Sequence, residues 1–124
     1  MSRPPLGELK PGDPVIVTIH RRRTWTEVRA HVVKAAPVWI TLEESDSAQP
    51  GVWRMRRSTQ SAGHGPYDSQ FVTIEQYVWD QALTDAQTFL REQGITVRHG
   101  SRWHSDAGQI RLAAILRTIA EETP

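Results

Sequence analysis

Residues 9–44 read LKPGDPVIVTIHRRRTWTEVRAHVVKAAPVWITLEE, a tight turn followed by three runs of alternating apolar residues. Lys10-Pro11-Gly12-Asp13-Pro14 carries turn chemistry: proline fixes φ, glycine permits positive φ, and aspartate bonds its own backbone. Val15–His20, Trp25–Ala35 and Val38–Glu43 each alternate with period two and are rich in β-branched or aromatic residues, as half-buried strands are. Side chains two apart share a face, so Val15, Val17 and Ile19 form one inward row. Val28, Ala30 and Val32 form the second, with Glu27, Arg29 and His31 outward; Val38, Ile40 and Leu42 form the third. Arg21-Arg22-Arg23-Thr24 is a connection of hairpin length, which makes its flanking strands antiparallel neighbours. The three runs are a β-meander.

Downstream, Glu43 to Gly51 is a polar surface loop, and Val52–Ser58 is a fourth strand with Trp53 and Met55 inward and Arg54 and Arg56 outward. Gly63-His64-Gly65-Pro66 marks a loop, and Gln70–Thr73 is a short fifth strand that buries Phe71 or Val72. Five short antiparallel strands imply a small, partly closed barrel, which relieves the exposed edges. At Thr73 the period changes. Thr73-Ile74-Glu75-Gln76 is a capping box, and Val78, Ala82, Ala86, Phe89 and Leu90 recur at helical spacing until Gly94 supplies the stop. Ile95–Arg98 reads as a short strand or extended linker, and His99–His104 as a loop. Ser105 or Asp106 opens a last helix with Ile110, Ala113, Ala114 and Leu116 or Ile119 on its apolar side. The fold class is β-dominated α+β: a five-stranded antiparallel barrel over residues 1–74, then two helices over 75–124. Neither helix is long enough to be stable alone, so the helical region is expected to dock on the barrel as one compact unit.

Composition bounds the function. With 124 residues, 38% hydrophobic and 23% charged, the chain is of the ordinary globular class and large enough to stabilise itself without crosslinks. It has no cysteine, which excludes disulfides, thiolate catalysis and cysteine-ligated zinc and fits a reducing compartment. No run approaches the ~20 apolar residues of a membrane span, and the N-terminus lacks a signal core, so a cytoplasmic protein with no membrane partner is expected. The net charge is +1, with ten Lys/Arg against seven Asp/Glu in residues 1–74 and five against seven in 75–124. That asymmetry is far below the basicity of a dedicated duplex binder.

The opening Leu9-Lys10-Pro11-Gly12-Asp13, the hairpin behind it and Trp39–Leu42 resemble an SH3-like barrel of the kind found in many small binding modules. The tail, with Phe89-Leu90-Arg91-Glu92-Gln93-Gly94-Ile95, is similar to small uncharacterised proteins of actinobacteria and their phages. The first resemblance implies binding of peptides, nucleic acid or other proteins; fold alone does not choose among them.

Two constellations stand out. The hairpin tip Arg21, Arg22 and Arg23, beside Trp25, could grip phosphates, since guanidinium forks match them bidentately; three charges at a turn also simply keep a hairpin soluble. Arg54 and Arg56, with Arg57 beyond them, share the outward face with Trp39 and Arg29 by alternation, where cation–π contacts either hold a partner or knit the barrel surface. Five Trp exceed what one small barrel core needs. Trp25 and Trp53 are expected to pack, Trp39 and Trp79 to lie under the helices, and Trp103 to be exposed. His99 and His104 match no metal-binding spacing, and no serine sits in a nucleophile motif. No catalytic residue, metal or cofactor is therefore assigned. The expected function is a non-enzymatic module that binds another protein, with a nucleic-acid-binding barrel as the alternative; its contact residues are Arg21, Arg22, Arg23, Trp25, Arg29, Trp39, Arg54, Arg56 and Trp103.

Overall fold

The computed structural model describes residues 2–122. Five strands and two helices follow in order: β1 (Pro14–Arg21), β2 (Thr24–Ala35), β3 (Trp39–Glu44), β4 (Val52–Arg56), β5 (Gln70–Thr73), α1 (Ile74–Glu92) and α2 (Asp106–Glu122). The described residues form two compact units, one over Pro5–Tyr77 and the other over 78–122 with residues 2–4.

In the first unit all strand pairs are antiparallel and the sheet order is β4-β3-β2-β1-β5. The Pro-Gly-Asp turn is fastened to β2 on both sides: Gly12 N donates to Val32 O at 2.7 Å and Val32 N to Asp13 O at 2.9 Å. Gly12 sits at φ 94°, a conformation in which a side chain would clash with the backbone. The turn delivers Leu9 into the interior beside Val15, Val17, Ala30, Val32, Ile40, Leu42, Met55 and Phe71. Register explains the set. Val15 faces Ala30, Ile40 faces Met55 and Val17 faces both Val28 and Phe71, so the inward parity of each strand matches its neighbours'.

The sheet curls into a half-barrel, and Ser61 joins its two edge strands by bridging Arg56 of β4 and Gln70 of β5. This curled five-stranded sheet is compatible with an SH3-like fold. A register shift between Val32 and Lys34 inserts a bulge in β2, which turns both Val33 and Lys34 outward and lets β2 bend. Val38, expected in the inward row, is 53% exposed because β3 begins only at Trp39 and Val38 lies in the bend before it.

At the end of β5, Gln76 N donates to Thr73 Oγ1 and Thr73 N to Gln76 Oε1, both at 3.1 Å, completing the capping box. The α1 face that packs is Trp79, Ala86, Phe89 and Leu90; Val78 and Ala82 are exposed, because the stripe starts one residue later than the spacing suggested. Gly94 at φ 72° ends α1: its N–H donates to Arg91 O, and Ile95 N to Leu90 O, while Ile95 also packs with Leu90. That is a Schellman stop. Residues 95–98 form no strand; Ile95 and Val97 instead join Ala86, Leu90, Ala113, Ile110, Leu112 and Leu116 in the core of the second unit. Arg117 pairs with Asp85 at 2.8 Å, tying the two helices of that unit.

Candidate functional site

Arg21 pairs with Thr24, which leaves Arg22 and Arg23 as a two-residue loop at φ 51° and 66°. Such primed turns match the twist of the flanking strands and usually carry Asn-Gly. Here two arginines take the left-handed conformation, and all three arginines of the tip are exposed. At the base of the tip His20 faces Trp25 in register, with ring centroids 4.9 Å apart edge to face, and Tyr67 from the Gly-Pro loop comes within 4.5 Å of His20. Trp25 was expected to pack. It is 45% exposed, because it has the parity of Glu27 and Arg29 and not that of Val28 and Ala30. Tyr67, 66% exposed, was not anticipated; its position after Gly65-Pro66 at the loop's tip was the only sign.

Thirty-odd ångströms away along β2, at about 3.3 Å per residue, lies the second cluster. Trp39 faces Arg56 across the β3–β4 ladder, and Thr41 faces Arg54. The guanidinium carbons of Arg54 and Arg56 stand 4.4 and 4.7 Å from the Trp39 ring centroid. Trp39 is half-buried, and these two side chains lie over its ring, in place of the full burial expected for it. Lys34, opposite Thr41, extends the same outward face. Among the described residues none of Arg21, Arg22, Arg23, Arg29, Lys34, Arg54 and Arg56 has a carboxylate within ion-pair distance.

Other expected members fall elsewhere. Arg57 donates through Nε and Nη2 to Ala36 O at 3.2 and 3.1 Å, a strut for the bend before β3. Arg29 is exposed on the outward face, but Ala30 pairs with Glu44, placing it about 20 Å along the sheet from Trp39. Glu27 and Glu43 interrupt that face, and Glu27 Oε2 accepts from the Tyr77 hydroxyl at 2.7 Å. This bond raises the Tyr77 pKa. In the second unit Trp103, expected to be exposed, is half-buried with Arg102 4.9 Å from its ring centroid. His99 Nδ1 and His104 Nε2 are 3.1 Å apart, within hydrogen-bonding distance, and among the described residues no three metal-ligating side chains converge.

The structure thus gathers the Arg tip with Trp25, and Trp39 with Arg54 and Arg56, into two separate clusters on one sheet. The model of the phage ProQ C-terminal-like domain family matches residues 1–122. No curated protein and no solved structure matches.

Proposed function

The chain belongs to the phage ProQ C-terminal-like domain family, and we propose that this phage-related domain is a non-enzymatic module that docks an acidic protein on its outward sheet face. The observation that carries the reading is Trp39 beneath Arg54 and Arg56, two guanidinium groups with no carboxylate to neutralise them among the described residues. Tryptophan and arginine dominate binding hot spots, and a guanidinium already resting on a ring loses less freedom when a partner arrives. A protein partner fits better than a nucleic acid at this cluster. Glu43 lies on the same face, the chain's net charge is only +1, and the ring is already covered by cations where a base would have to stack. An actinobacterial or actinobacteriophage source belongs to the same proposal and rests on the tail's resemblance.

A second reading, nucleic-acid binding, is favoured by one specific observation: exposed Trp25 and Tyr67 beside the exposed Arg21, Arg22 and Arg23. Aromatic rings next to backbone-gripping cations are what single strands stack on.

Affinity capture with the full chain from phage-infected host lysate separates the two. The protein reading expects a saturable partner that survives nuclease treatment and is lost from the Arg54→Glu/Arg56→Glu double variant. Retention by that variant overturns it. A partner removed by nuclease and by Arg22→Glu instead establishes the second reading.

A further inference from the structure

Outside the barrel, the second unit holds a cavity of about 680 Å³ at the start of α2. Its lining combines two kinds of group. Trp103, Ala107, Ile110 and Ala114 give an apolar wall, and Arg102 and Arg111 are the charged members. The helical members 107, 110, 111 and 114 follow the spacing of one helix face. That face is distinct from the one at Ala113, Leu112 and Leu116 that closes the unit's core, although Ile110 contributes to both. Helical spacing puts Ala114 on the apolar side of this helix. It is exposed, and its small side chain leaves the space that a larger residue would fill.

The charges select the ligand. Neither Arg102 nor Arg111 has a carboxylate partner among the described residues, whereas Arg117, further along the same helix, is paired with Asp85. Arg102 is held against the Trp103 ring, so its guanidinium is partly ordered before any ligand binds. Two unneutralised guanidinium groups beside an apolar wall match an anion carried on an apolar body, and a planar carboxylate suits the guanidinium fork. We infer that this cavity is a binding site for a monocarboxylate with an aromatic or branched apolar body, independent of the sheet face discussed above.

The test is a titration of the isotopically labelled 124-residue chain with 3-phenylpropionate, followed through its backbone amide resonances. Two controls divide the ligand: 3-phenylpropan-1-ol keeps the body without the charge, and acetate keeps the charge without the body. The inference expects saturable shifts confined to residues 102–114 with 3-phenylpropionate. Arg111→Gln should weaken binding about tenfold, as the loss of one charge-assisted contact does. Ala114→Leu should weaken it by crowding the apolar wall; the position is exposed, so helix stability is kept. Absence of saturable shifts, equal binding of the alcohol, or an equal response to acetate overturns the assignment. So does undiminished binding by Ala114→Leu. A last arm compares N-acetyl-Ala-Phe with 3-phenylpropionate: tighter binding of the dipeptide makes the natural carboxylate a polypeptide C-terminus, and the reverse makes it a free acid, each in support of the site.

Discussion

The side-chain amides of Gln60 and Gln76 bond each other in both directions, Gln60 Nε2 to Gln76 Oε1 at 2.7 Å and Gln76 Nε2 to Gln60 Oε1 at 3.2 Å. Gln76 is 1% exposed, and its Oε1 also serves the capping box at Thr73. A single buried amide therefore anchors the first turn of α1 to the loop before β5.

Gln76→Ala leaves the Gln60 amide and the Thr73 N–H short of a partner and opens a void. Each buried polar group stranded in this way costs about 1–3 kcal/mol, so urea unfolding should show a loss of about 2–4 kcal/mol. Gln60→Ala should cost less, because Gln76 keeps its bond to Thr73.

The hairpin tip stores backbone strain. A non-glycine residue in the left-handed region costs roughly 1–2 kcal/mol, and Arg22 and Arg23 both occupy it. Replacing them together, Arg22→Asn with Arg23→Gly, should stabilise the domain by about 1–2 kcal/mol in the same urea assay. If the tip is a nucleic-acid contact, the stabilised variant binds single-stranded probes more weakly than the natural chain and loses part of its salt dependence.

Tyr77 reports pH. The Glu27 carboxylate accepts a hydrogen bond from the Tyr77 hydroxyl, so the folded pKa of Tyr77 lies above its unfolded one. The stabilising contribution is thus complete below the unfolded value, about pH 10, and is lost as pH climbs through the higher folded value. In a Tyr67→Phe background Tyr77 is the sole tyrosine, and its phenolate absorbance should appear at higher pH than in the unfolded chain. Adding Glu27→Ala should bring that midpoint down.

Arg54 and Arg56 should matter more for binding than for folding. Exposed cation–π contacts contribute about 0.5–1 kcal/mol each, so Arg54→Ala should shift the unfolding midpoint only slightly. Leu42→Ala, which empties a fully buried site, should cost about 2–5 kcal/mol. A partner captured by the natural chain should be lost from the arginine variants at a concentration where Leu42→Ala, if still folded, retains it.

Alternation alone made most of the barrel interior legible. Val15, Val17, Ala30, Val32, Ile40, Leu42, Met55 and Phe71 are buried as the period-two pattern requires. The pattern fails where geometry breaks its count: at the Val33 bulge, at Val38 before β3 starts, and at Trp25, where size suggested burial and parity forbade it. In α1 the moderate apolar pattern allowed two neighbouring stripes, and the chain uses the one through Trp79 and not Val78. At the candidate surface, Trp39 with Arg54 and Arg56 follows from register once β3 and β4 are paired. Tyr67 does not, since a loop residue meets His20 only through the path of a Gly-Pro segment that no periodicity describes.

Ser61 belongs to no strand, yet it and its neighbour Gln60 join β4 to β5. By contrast β1 and β2 share eight register pairs. The half-barrel is in this sense a cuff fastened by one short clasp, a place where local opening breaks few hydrogen bonds. Solvent would then meet Met55 and Phe71 while the long hairpin is still whole.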